Sequence, residues 1–211
     1  LLGLNLTTEQ IRDFDANRNI HNTISLLEQE LHMVNESLLK LYETKNSIQA
    51  RLESFTRAMS AKHFDMIQLL ELDNRACVMI NDGNLPDDYV DFYLTKYMRS
   101  RQKKIDTIGA CDCYTLDLAG SNPDSKYYRT KNLFFYSDLI TYDGNFYLPA
   151  GKYLSVLYKG PLTQTKKFVP MLADYAKKHH LKTIDDPIEF CHIDDYETAL
   201  EEEYITEIQW Q

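Results

Sequence analysis

The sequence predicts an α+β chain in which a long coiled-coil dimerisation helix leads into a duplicated strand–helix–strand–strand domain. Three observations predict it. A seam of apolar residues at heptad spacing runs from Ile20 to Met59. After residue 72 the pattern switches to short strands, turns and helices. The order strand, helix, strand, strand then occurs twice, and one copy alone has too little core to fold, so two copies side by side would form one sheet system with helices on one face.

The seam consists of Ile20, Ile24, Leu27, Leu31, Val34, Leu38, Leu41, Lys45, Ile48, Leu52, Phe55 and Met59. Its steps alternate four and three, the 3.5-residue period of a coiled coil. No Pro or Gly interrupts it, and such a helix spans on the order of 60 Å. A stripe this narrow is a dimer seam, since a helix lying on a globular core shows a broader apolar face. Packing against the chain's own domain is the alternative. Lys45 takes an a position, where a lone charge penalises wrong registers, unless it snorkels out with little effect.

Residues 1–18 precede this helix, which we bound at 19–61. Thr7 or Thr8 followed by Glu9 and Gln10 is an N-cap pattern for a short helix, whose Ile11 and Phe14 are too few to make a core. The opening reads as mid-domain sequence, which predicts a fragment of a longer protein. Residues 62–72 read as a linker, and 73–211 as the second domain. There, Arg75 to Asn81 is a predicted strand, Pro86 opens a helix through Tyr89, Tyr93, Tyr97 and Met98, and Thr107 to Leu118 and Asn132 to Thr141 are strands. The second copy reads Lys152 to Lys159, a helix from Thr163 to His180, then Ile188 to Ile193 and Tyr204 to Gln209. Pro170 should kink or restart that helix.

The formal net charge of −9 repels phosphate backbones, so any DNA-binding surface is missing or very local. It suits a cationic ligand, or simply solubility. No apolar run is long enough to span a membrane, and no signal peptide opens the chain, so a cytoplasmic protein is expected. The four cysteines, Cys77, Cys111, Cys113 and Cys191, do not form a disulfide framework. Cys111 and Cys113 share a strand face and could grip a soft metal with a third thiolate; as small buried hydrophobes they need no metal, and none is expected.

Residues Leu2 to Ile11 resemble the last helix pair of a MerR-type winged helix–turn–helix head, a family in which a long antiparallel dimerisation helix follows directly. The duplicated unit resembles the GyrI-like effector domain of multidrug-sensing MerR regulators. Leu148-Pro149-Ala150-Gly151-Lys152-Tyr153, Gly160-Pro161, Asp186-Pro187-Ile188-Glu189-Phe190 and Glu202 to Ile208 carry that likeness. The resemblance implies a homodimeric, non-enzymatic regulator that binds promoter DNA through its head, responds to a lipophilic cationic or aromatic small molecule, and acts on RNA polymerase indirectly through twisted DNA. It needs no cofactor. The recognition helix and first wing have no counterpart here.

Multidrug members place an acidic residue at the bottom of an aromatic pocket, and Glu189 matches it. On a strand, Glu189 would share a face with Cys191 and Ile193, opposite Ile188 and Phe190. A carboxylate among apolar neighbours is costly unless paired, so a cation is a fitting partner; a surface glutamate or a structural ion pair is the alternative. The resemblance adds Tyr158 and Tyr204. Tyr93, Tyr114 and Phe135 are weaker candidates that serve equally as core. Asp112 stands where the family has an aromatic, and a second negative charge there would favour more highly charged ligands. Two other functions stay open: a GyrI-like hydrolase acting through the pocket glutamate, and a metal sensor in which Cys111, Cys113 and Cys191 converge. His179, His180 and His192 read as solvated helix-end and strand residues.

Overall fold

The computed structural model describes residues 7–81, 83, 109–139 and 144–211. The predicted helix with Tyr93 and the residues before Thr7 lie outside them. Two compact units divide the chain, Leu1–Asn46 and Ser47–Gln211.

Helix α1 (Thr8–Ala16) begins where the Thr7 carbonyl accepts the amide of Ile11 at 3.1 Å. Helix α2 (Ile20–Ser60) is capped by Asn19, whose side-chain oxygen takes the amide of Asn22 at 2.9 Å. Within the first unit the seam is open: Ile20, Ile24, Leu27, Leu31, Val34, Leu38 and Leu41 are 46% to 67% exposed. Lys45, Ile48, Leu52 and Met59 are exposed as well. Phe55 departs from the expected seam and packs with Ala58 against Leu157, Ile193 and Ile205. A straight helix turns 3.6 residues per turn rather than 3.5, so a heptad stripe drifts around it, and the last turns bring this ring to the sheet.

The second unit carries a curled antiparallel sheet of β1 (Ile67–Leu72), β2 (Arg75–Asn81), β3 (Cys111–Asp117), β4 (Arg129–Tyr136), β5 (Phe146–Leu148), β6 (Gly151–Lys159), β7 (Ile188–Ile193) and β8 (Ile205–Trp210). The strand order is β1-β6-β8-β7-β3-β4-β2-β5. Exchanging β1 to β4 for β5 to β8 returns the same order reversed. The outer pairs match in register too: Arg75–Leu148, Ala76–Tyr147 and Cys77–Phe146 correspond to Leu154–Leu69, Ser155–Gln68 and Val156–Ile67, each a shift of 79 residues. Residues 67–72, expected as linker, are therefore an edge strand. Nothing local marks them, because their partner β6 lies some eighty residues on.

A 3₁₀ turn (Leu162–Gln164) leads into helix α3 (Thr165–Lys178). Pro170 does not restart it: the helix runs unbroken, losing only the bond that a residue-170 amide would give near its first turn. Phe168, Val169, Leu172 and Ala176 pack on Leu154, Val156, Tyr158, Ile208 and Trp210, each large side chain contributing about 1.5–3 kcal/mol. The last turns of α2 lie on the opposite face through Phe55 and Ala58. Of the two helices of the duplicated unit expected to share one face, only α3 lies within the described residues.

Candidate functional site

Cross-strand pairing assigns side chains to the two faces. Glu189 lies opposite Tyr114 on β3 and Ile208 on β8. Tyr158 pairs with Thr206, Thr206 with Cys191, Cys191 with Asp112, and Asp112 with Phe135. The α3-bearing face thus gathers Glu189, Tyr158, Tyr114, Asp112 and Phe135.

Glu189 is buried on this face. The Thr165 hydroxyl, on the first residue of α3, donates to its Oε1, and the Tyr158 hydroxyl reaches the same oxygen at 3.4 Å. Tyr158 and Thr165 are themselves 2.6 Å apart. Oε2 receives no hydrogen bond among the described residues. Burial pushes the carboxyl up to about 7, against the opposing pull of the two hydroxyls. Asp112 is also raised to about 7, first by burial and then by Asp194. Asp194 is raised to about 7 by burial as well. The Tyr114 hydroxyl, raised by burial, feels Cys191, Asp112, Asp194 and Glu189 together. This is a patch of withheld negative charge on an aromatic floor. Tyr158 is wholly buried and stacks on Phe168 at 4.8 Å, so its ring is core and its hydroxyl alone addresses Glu189. Phe135 is also buried.

The expected neighbours of Glu189 are corrected at two points. Tyr204 lies in the turn before β8, where its carbonyl accepts the amide of Gly160 and its electrostatic neighbours are Asp195, Glu201, Asp194 and Tyr127. The structure brings no contact between it and Glu189. Ile193 leaves the Glu189 face because the register of β7 against β8 shifts between Cys191 and Ile193. Such a bulge inserts an extra residue and reverses the alternation beyond it.

His192 lies on the face opposite Glu189, as the alternation through Ile188 and Phe190 places it, but it is half-buried at a cavity instead of solvated. Its Nε2 lies 3.0 Å from Glu207 Oε2. The other Glu207 oxygen accepts Ser155 Oγ at 2.6 Å and Gln209 Nε2 at 2.8 Å. These contacts hold Glu207 down at about 2 against its burial. Cys111 and Cys113 share this face, with Sγ atoms 3.8 Å apart. Cys191, paired with Asp112, lies on the other, so the three thiols do not converge. Among the described residues no group of three or more His, Cys, Asp or Glu could hold a metal.

On this second face a cavity of about 350 Å³ is lined by α2 residues Ala50, Ser54, Arg57 and Ala58 and by Arg75, Cys111, Tyr136, His192, Glu207 and Gln209. Sequence reasoning missed it, and also missed Thr165 on the first face. The only available signal was the pairing of polar residues across strands, which requires the register. His179 and His180 are exposed at the end of α3, as expected.

No helix among the described residues is long and apolar enough to cross a membrane. No protein-family model and no curated protein matches the sequence. Among solved structures, the chain is similar to EcmrR in an EcmrR–DNA complex within EcmrR-RPo, at 15% identity over 99% of this chain and 78% of that one, with a TM-score of 0.47. It is similar to an uncharacterised conserved protein from Listeria innocua at 12% identity over 71% and 93%, with a TM-score of 0.48. It matches the EcmrR C-terminal domain at 15% identity over 69% of this chain and 95% of that domain, with a TM-score of 0.50. At this identity the likeness is one of architecture, and the chain has the α+β fold of the EcmrR C-terminal domain.

Proposed function

We propose that this chain is the dimerising and ligand-sensing part of a one-component transcription regulator of the MerR type, and that its second unit is a GyrI-like effector domain. The fold of the EcmrR C-terminal domain supports the coarse reading. The palindromic strand order and the shift of 79 residues between paired strands support the duplication. The open stripe from Ile20 to Leu41 supports an antiparallel homodimer, since a monomer would leave that apolar surface in water. In the intact regulator an N-terminal head meets promoter DNA, and polymerase responds to the altered DNA.

The observation that carries the sensing role is Glu189. Its carboxyl is buried, receives only hydroxyl hydrogen bonds among the described residues, and shares its surroundings with Asp112 and Asp194. A lipophilic cation would supply the missing charge, and Tyr114 would offer its ring. Asp112 beside it favours a ligand with more than one positive charge. Calorimetry of Glu189→Gln with a cationic dye and a neutral analogue of similar shape tests the reading. The cation should lose about 1.5–3 kcal/mol and the neutral compound much less. Equal losses for both, or none for either, would make Glu189 a structural residue.

A further inference from the structure

Cys111 on β3, His192 on β7 and Glu207 on β8 stand side by side on three adjacent strands, on the sheet face opposite Glu189. All three line the cavity beneath the last turns of α2. Glu207 is fixed by Ser155 and Gln209 and accepts from His192 Nε2 at 3.0 Å. Cys111 and His192 line the same cavity, close enough for their charges to act on each other. Burial alone would strip the proton from His192, but Cys111 and Glu207 overcome it and hold the ring as imidazolium. The Cys111 thiol is drawn down by its hydrogen bond with Cys113 and by that imidazolium. The other three thiols are pushed up by burial, Cys77 to about 12. Of the four cysteines only Cys111 lines the cavity, and the thiolate, its favoured form, is the nucleophilic one.

A second, independent observation concerns Arg75. Its guanidinium lies over the rings of Tyr136, Tyr153 and Phe190 at 5.1 to 5.7 Å and donates from Nη1 to Gln209 at 2.8 Å. Its Nε and Nη2 are buried without a hydrogen-bond partner, and no carboxylate pairs with it among the described residues. A half-buried guanidinium at a cavity with two nitrogens unsatisfied calls for a ligand with an anionic or strongly polarised oxygen.

We propose that this cavity is a covalent sensing site in which the Cys111 thiolate adds to a small α,β-unsaturated carbonyl compound. Sulfur bonds to the β-carbon, and the alkene π pair moves to the carbonyl oxygen as an enolate beside Arg75. The His192 imidazolium then gives its proton to the α-carbon and is left neutral, to be reprotonated by water. The sum is addition of S and H across the double bond, with no oxidant or leaving group. Addition suits this site better than acyl transfer: Cys111 lies in a strand whose amides serve the ladder, whereas the enolate has a guanidinium at hand. The adduct would touch Ala50, Ser54 and Ala58 and so bear on α2 directly. This proposal is independent of the Glu189 reading, which concerns the other face.

The test is timed peptide mapping by mass spectrometry of the full chain treated with N-ethylmaleimide, methyl vinyl ketone or iodoacetamide. The expected result is one equivalent of adduct on Cys111, with Cys77, Cys113 and Cys191 unmodified. His192→Gln should slow the reaction about tenfold at pH 6, where an ordinary thiol is almost wholly protonated. Arg75→Gln should slow methyl vinyl ketone several-fold but spare iodoacetamide, whose displacement forms no enolate. Glu189→Gln should react at the wild-type rate. If His192→Gln does not fold, the wild-type pH profile decides: a rate nearly flat from pH 6 to 8 supports the pair, and a tenfold rise per pH unit overturns it. Asp112, the residue after Cys111 on the other face of β3, is raised to about 7 by burial and titrates within this window, so the profile is read in Asp112→Asn as well, where it should stay nearly flat. Parallel labelling of all four cysteines, no labelling, or an unchanged rate in folded His192→Gln would each overturn the proposal.

Discussion

Arg51 on α2 and Glu197 in the loop after β7 meet at 2.5 Å, with side chains 12% and 24% exposed. The Arg51 guanidinium also lies 4.4 Å from the ring centroid of Phe55. This pair ties the end of the long helix to the loop that carries Asp194, whose backbone amide donates to Glu197 at 3.0 Å. Removing Glu197 strands a largely buried cation. Glu197→Gln should cost about 1.5–3 kcal/mol in urea denaturation, and Arg51→Met should cost less because Phe55 keeps a packing partner. A cost under about 0.5 kcal/mol for both would class the pair with exposed ion pairs.

The second prediction follows from the Glu189 carboxyl, held near 7 in the fold against an ordinary 4.5. A carboxyl raised on folding binds its proton more tightly in the native state. Its contribution to stability is therefore full below pH 4.5 and is lost as pH rises through 7, by on the order of 3 kcal/mol. Glu189→Gln should be more stable than wild type at pH 8 and indistinguishable from it near pH 4. Asp112 and Asp194 act in the same direction and remain in both proteins. Urea titrations at several pH values decide it; a difference independent of pH would mean that burial does not control this group.

The third prediction separates the two roles of α2. Leu31, 60% exposed on the stripe, should tolerate aspartate in the monomer fold but not in a coiled coil. Sedimentation of Leu31→Asp should show monomers where wild type shows dimers, with the sheet unit intact by thermal unfolding. Phe55→Ala should do the reverse, keeping the dimer while lowering sheet-unit stability by about 1–3 kcal/mol, since the ring is only partly buried. A wild-type monomer at micromolar concentration would overturn the dimer proposal.

Much of the second unit was legible locally. Strands β2 and β7 occupy the residues that alternation and turn signals predict, and α3 stops within two residues of its expected end. Strands β1 and β5 were not legible: one resembles a connector and the other has three residues, and only distant partners make them strands. The Glu189 site was half legible. The strand and its resemblance pointed to the glutamate, but the hydroxyl of Thr165 comes from the following helix, and Tyr204 faces elsewhere.

The sequence by itself determined the periodicities: a heptad stripe that makes one long helix, and alternating segments that make strands, because the 3.6- and 2-residue repeats are properties of single elements. Only the tertiary structure decided which side chains meet. The bulge after Cys191 sends Ile193 to the face opposite Glu189, where His192 already lies, and the strand order then sets Cys111, His192 and Glu207 side by side. Those three residues are far apart in the chain, and a shift of one residue in register would separate them, so their proximity is a property of the sheet rather than of any segment within it.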